Sequence, residues 1–212
     1  MYKEIKANIP DCVQLVVVSK TRTNEEILDI YNQGQIVFGE NRCDEMVRKY
    51  NELPKNIKWH MIGHLQSRKV KEIAHFVSLI HSVDSLKLLK TINKEAKKNN
   101  RVINCLLQIK IAQEDVKYGL NLKETELLLK SSDFSDLEHL KIIGIMGMAT
   151  YSDEKELVRQ EFNKLKKIFD YFKINYFKDK NYFKEISAGM SGDYKIATRE
   201  CATIVRLGSL IF

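Results

Sequence analysis

The residues best able to do chemistry in this chain stand just after short apolar runs. Lys20 follows Leu15-Val16-Val17-Val18-Ser19. A lysine closing a buried strand is expected to be partly desolvated, which favours the neutral amine that an aldehyde needs to form an imine. A lysine that snorkels outward from a rim is the alternative. Phe38-Gly39-Glu40-Asn41-Arg42 ends a second run. There a glycine allows close backbone approach, and Asn41 reads either as a pocket residue or as a helix cap. A third run carries Trp59-His60-Met61-Ile62-Gly63-His64. His60 could be a base, or a structural histidine. No partner stands at metal-ligand spacing, so no metal is expected.

Three later segments suit a flat, phosphorylated ligand. Gly144-Ile145-Met146-Gly147-Met148 pairs glycines with methionines, making either plain core or a smooth wall for an aromatic ring. Ser187-Ala188-Gly189-Met190-Ser191-Gly192-Asp193 precedes a helical pattern. Backbone N–H groups at such a start attract a dianion, and the serines add donors. Thr203-Ile204-Val205-Arg206-Leu207-Gly208-Ser209 closes the sequence of runs. Arg206 alternates with apolar neighbours, so its guanidinium needs a buried partner. Gly208 and Ser209 could supply the second half of a phosphate site.

These segments need a scaffold that gathers strand ends. Apolar runs at 15–19, 36–38, 57–62, 79–83, 102–111, 140–146, 182–186 and 203–207 read as strands. Helical patterns follow at 24–33, 43–50, 66–74, 85–98, 122–130, 153–172 and 193–200. In the long one, Leu157, Val158, Phe162, Leu165, Phe169 and Phe172 recur at helical spacing. Continuous apolar strands alternating with helices imply a parallel sheet buried on both faces. Eight repeats favour an α/β fold of the single (β/α)8 barrel type, with chemistry at the C-terminal ends of the strands. A doubly wound open sheet is the alternative, but no Gly-x-Gly-x-x-Gly turn follows the first strand.

Composition agrees with one compact domain spanning 1–212. There are only two prolines and no Gly/Ser/Pro-rich linker to divide the 212 residues. The net charge of +7 is scattered over amphipathic helical patterns such as Lys164-Leu165-Lys166-Lys167, which excludes a concentrated nucleic-acid stripe. Cys12, Cys43, Cys105 and Cys201 form no C-x-x-C pair, so a zinc or redox motif is not expected and a reducing compartment is. No apolar run has the length of a signal core or a membrane span. The expectation is a cytoplasmic protein with no membrane or nucleic-acid partner.

Six motifs then occur in order: Val-Ser-Lys-Thr, Phe-Gly-Glu-Asn, Trp-His-x-Ile-Gly-x-Leu-Gln, Met-Gly-Met, Ser-x-Gly-Met-Ser-x-Asp and Val-Arg-x-Gly-Ser-x-Ile-Phe. Together they resemble the pyridoxal phosphate homeostasis proteins, single-domain barrels similar to the N-terminal domain of alanine racemase. The resemblance runs from about Leu15 to Phe212. It implies pyridoxal 5'-phosphate as cofactor, held as a Schiff base on Lys20. It implies phosphate loops formed by Ser187, Met190, Ser191, Gly208 and Ser209, an Arg206 facing the pyridine nitrogen, and Asn41 and Met148 lining the pocket. Gln108, Glu114, Lys117 and Gly119 match a further motif, in which Lys117 corresponds to a lysine that assists cofactor exchange. Departures from the family pattern include Ala188 in place of a larger residue and Arg68 in place of a frequent Asn.

The resemblance also implies a monomeric cofactor carrier or buffer without a catalytic reaction, with pyridoxal-phosphate-dependent apo-enzymes as recipients. An arginine opposite the ring nitrogen weakens the electron sink that a carboxylate would strengthen. The competing reading is an amino-acid racemase. That needs a second acid/base, for which His60 is the best candidate in the sequence.

Overall fold

In a computed structural model, residues 1–112 and 118–212 are described. Eight parallel strands close into a barrel in sequence order, β1 pairing with both β2 and β8. They are β1 (Gln14–Val18), β2 (Val37–Glu40), β3 (Lys58–Met61), β4 (Leu79–Val83), β5 (Ile103–Ile109), β6 (Leu140–Gly147), β7 (Glu185–Ser187) and β8 (Ile204–Leu207). The helices are α1 (Tyr2–Ala7), α2 (Asn24–Asn32), α3 (Cys43–Glu52), α4 (Val70–Ile73), α5 (Leu86–Lys98), α6 (Leu122–Lys130), α7 (Ser132–Ser135), α8 (Lys155–Asn175) and α9 (Tyr194–Glu200). The (β/α)8 barrel expected from the alternation is therefore present.

Two apolar cores result. The larger lies between the helices and the outer wall of the barrel, with Ile27, Phe38, Trp59, Leu89, Phe162 and Phe172 fully enclosed. The smaller fills the barrel itself: Val16, Val37, Leu79, Leu106, Met146 and Ile204 each come from a different strand. Side chains alternate along a strand. Two residues on from Leu79 and Ile204, the lumen therefore receives His81 and Arg206.

Helix starts are fixed locally. Thr23 and Glu26 form a reciprocal capping box that opens α2 directly after the Lys20 segment, and Asn121 and Glu124 do the same for α6. Elsewhere the structure differs from the sequence reading. The helix expected over 66–74 is a 3-10 turn (Ser67–Lys69) leading into α4. The seventh strand begins at Glu185 rather than Tyr182. The aromatic residues before it look strand-like but pack instead, Phe183 stacking on Phe177 at 4.1 Å and on Phe169 at 5.0 Å. The short helices α1 and α7 had no counterpart in the apolar pattern.

Candidate cofactor cleft

A cleft of about 480 Å³ opens at the C-terminal ends of the strands. Lys20, Asn41, Met148, Met190, Ser191, Arg206, Gly208 and Ser209 all line it, with Val18 and Ile62 adding apolar wall. Residues from five βα connections, the segment after β8 and two strands thus converge from positions up to 191 residues apart. Lys20 and Asn41 are exposed. The desolvation expected for Lys20 is therefore absent: the chain leaves β1 at Val18 and turns, lifting the side chain to the rim.

Ser187 is the exception among the expected ligand residues. It is fully buried in the lumen, and its hydroxyl is used inside the protein. Arg206 Nη1 donates to Ser187 Oγ at 2.5 Å, and Ser187 Oγ lies 2.8 Å from His81 Nδ1. His81 Nε2 lies 3.0 Å from His60 Nδ1. Burial holds both imidazoles neutral, lowering His60 to about 3 and His81 well below the usual value. With the Ser187 hydroxyl donating to His81 and His81 Nε2–H donating to His60, each internal bond in this chain has one donor and one acceptor. Ser187 thus belongs behind the cleft as a support for Arg206. His60, offered as a second base, is at the far end of that column and away from the cleft wall.

Arg206 is 4% exposed, and burial pulls its guanidinium down to about 10. It also donates through Nη2 to the Gly147 carbonyl at 3.3 Å. Two contacts leave further N–H donors on a side chain that lines the cleft. These suit a neutral ring nitrogen, which accepts a hydrogen bond.

The two loops that follow β7 and β8 offer backbone donors, beside the Asp193 carboxylate that also lines the cleft. Among the described residues, the N–H groups of Ser191, Gly192 and Ser209 have no partner within the chain. Gly189, at φ 91°, makes the first loop possible: a Cβ there would come within 2.7 Å of Ala197 Cβ. The Met190 amide donates to Asp193 Oδ1, which folds Ser191 and Gly192 outward between them. At Gly208 an added Cβ would press within 3.0 Å of the Val18 carbonyl, so the second loop runs tight against β1. Unpaired amides flanked by serine hydroxyls are the donor set a phosphate dianion takes.

Comparison with known proteins identifies the family. The profile of the alanine racemase N-terminal domain matches residues 2–212. A pyridoxal phosphate homeostasis protein from Aquifex aeolicus is 38% identical over 95% of this chain and 87% of its own length. This chain is a member of the pyridoxal phosphate homeostasis protein family. Within that family, the Synechocystis protein of the same name is 34% identical over 100% of this chain and 96% of its own. PipY of Synechococcus elongatus, solved with pyridoxal phosphate bound, superposes with a TM-score of 0.89 at 28% identity, covering 99% and 97% of the two chains. Alanine racemase of Clostridium difficile shares the fold at a TM-score of 0.74 and 15% identity, with this chain covering 54% of its length.

The sequence did not foresee the support column below Arg206, although His81 and Ser187 sit at alternating strand positions that face inward. Thr150, Tyr151, Ser152 and Asp153 also line the cleft and were not singled out. Glu114 and Lys117 lie outside the described residues. No helix among the described residues is long and apolar enough to cross a membrane.

Proposed function

We propose that this chain binds pyridoxal 5'-phosphate reversibly at the barrel mouth and acts as a carrier or buffer of the cofactor. The observation that carries this reading is the placement in one cleft of an accessible lysine amine, a buried guanidinium and two loops with unpaired amides. When bound, the cofactor supplies an aldehyde carbon open to an amine and an electron-withdrawing ring. Lys20 captures the aldehyde. Ser191, Gly192 and Ser209 hold the phosphate, and Arg206 donates to the ring nitrogen. Met148 and Ile62 flank the ring, and Asn41 borders the rim.

The chain's own residues favour holding over turnover. Arg206 has no proton to give up at neutral pH, so the ring nitrogen stays unprotonated and the electron sink stays weak. A racemase needs two acid/base groups fixed on opposite sides of the substrate. His60 is buried away from the cleft, and Tyr151 on the cleft wall is 97% exposed, with nothing packed around it to fix its position. We place the protein in the cytoplasm as a monomer, with apo-enzymes that need the cofactor as recipients.

Incubation with pyridoxal phosphate, followed by borohydride reduction and peptide mapping, tests the cofactor and the lysine together. The expected result is one adduct, on Lys20. A parallel incubation with L-amino acids is expected to yield no sustained formation of D-enantiomer, and steady turnover there would overturn the carrier reading.

A further inference from the structure

Lys20 rises from a tight turn beyond the end of β1. The Arg22 amide donates to the Ser19 carbonyl at 3.0 Å, which closes a four-residue turn around Lys20 and Thr21. Thr21 has φ 64°, whereas Lys20 is not among the residues with positive φ. A positive φ at the third position alone defines a type II turn, and that position normally belongs to glycine. A β-branched residue there is strained and persists only when its surroundings hold it.

The alternative for threonine is a type I turn, reached by flipping the peptide between Lys20 and Thr21. Both ends of that peptide are held. The Thr21 hydroxyl donates to the Lys20 carbonyl at 2.6 Å, and the Thr21 amide donates to Glu45 Oε1 at 2.7 Å. Glu45 is itself fixed from below. Lys49 Nζ donates to Glu45 Oε1 at 2.6 Å, to the Ser19 carbonyl at 2.6 Å and to Glu40 Oε1 at 2.8 Å. Glu40 Oε1 also accepts from the Ser19 hydroxyl at 2.7 Å. Lys49 and Glu40 are wholly buried. The network therefore grips main chain on both sides of Lys20, at the Ser19 carbonyl and the Thr21 amide.

Stability alone is a poor reason for these charges. Buried ion pairs are often matched or exceeded by apolar residues of similar volume. This one also leaves Glu40 Oε2 buried without a partner. No apolar trio could hold the amide and carbonyl that bracket the lysine.

We propose that Glu45, braced by Lys49 and Glu40, clamps the Lys20 turn in its strained form and thereby presents the amine to the cleft. All three are positioning residues for aldehyde capture. In that step Nζ adds to the aldehyde carbon, C=N replaces C=O, and the oxygen leaves as water with the two N–H protons of the neutral amine. The inference rests on the reading of the cleft as a pyridoxal phosphate site.

Glu45→Ala frees the Thr21 amide and tests the clamp. In the unloaded protein, hydrogen exchange at Thr21 is expected to accelerate. With pyridoxal phosphate added, the rate of the borohydride-trapped Lys20 adduct is expected to fall on the order of tenfold, as the turn relaxes into its commoner form. Binding of an analogue with a methyl group in place of the aldehyde is expected to stay unchanged, since the phosphate loops are untouched. Adding Thr21→Gly to Glu45→Ala is expected to recover most of the adduct rate, because glycine takes this turn without help. If Glu45→Ala does not fold, Glu45→Gln keeps the shape without the charge and is expected to show a smaller drop in the same direction. Adduct formation at the wild-type rate, or failure of glycine to rescue it, overturns the clamp. A wild-type protein with no adduct on Lys20 overturns the reading of the cleft instead, and the clamp with it.

Discussion

At the β1 side of the cleft, the Lys20 turn is bordered by buried and half-buried charge: Lys49, Glu40 and Glu45 bind one another and the main chain around the lysine. At the β7–β8 side, the loops offer unpaired amides and serine hydroxyls beside the half-buried Asp193, and behind them stands buried Arg206 on a column of neutral histidines. On the proposed reading of the cleft, the difference matches what each side has to do. A covalent bond needs one atom at one place, so its carrier is over-constrained. A dianion needs several donors at modest precision and must be released, so its loops stay accessible and present backbone amides. In that proposal one end of the ligand is caught by position and the other by complementary polarity, which suits a protein that loads and unloads.

The largest expected effect breaks the first side alone. Lys20→Ala is expected to abolish the borohydride-trapped adduct completely while leaving weaker, phosphate-anchored binding measurable by calorimetry. Equal trapping at another lysine would show that the two sides are not separate functions. Next, Ser191→Glu combined with Ser209→Glu sets carboxylates against the dianion and removes two hydroxyl donors. Affinity is expected to fall by about 3 kcal/mol or more, with the unfolding midpoint nearly unchanged. Intact affinity would refute the placement of the phosphate.

A smaller effect concerns the shape of the loop after β7. Gly189→Ala forces a side chain into φ 91° and against Ala197. It is expected to cost about 2 kcal/mol of stability, measured by denaturant unfolding. The smallest effect concerns the column behind Arg206. An unfolded histidine takes up a proton near pH 6.5, whereas folded His60 does so only at about 3. His81 shifts in the same direction. Stability is therefore full above 6.5 and is lost as pH falls below it, by about 1 kcal/mol per histidine between pH 6.5 and 5.5. Unfolding curves across that window check the slope, and His60→Gln is expected to remove its own share.

Much of this arrangement is legible in the sequence, because strand ends in a barrel are marked by where apolar runs stop. Lys20, Arg206, Gly208 and Ser209 could be placed at the mouth from that rule alone, and Asn41 and Met148 through motif resemblance. What the sequence concealed depends on which way a residue faces. Ser187 ends a strand and carries a hydroxyl, yet it points into the lumen, where Arg206 and His81 use it. Lys20 follows the apolar run closely enough to read as desolvated, yet the Ser19–Arg22 turn lifts it out. Lys49 and Glu45 look like an ordinary surface pair four residues apart on a helix. Only the packing of α3 under that turn shows that they face inward. The stacking of Phe183 on Phe177 similarly turned a strand-like run into a packed connection.

The central claim is that one amine at the rim and two amide-rich loops opposite it hold pyridoxal phosphate together. Mass mapping of the wild-type protein after loading and borohydride reduction tests it most directly. The account predicts a single modified peptide, carrying the reduced cofactor on Lys20. A protein that takes up no pyridoxal phosphate, or one modified principally at another lysine, would contradict it.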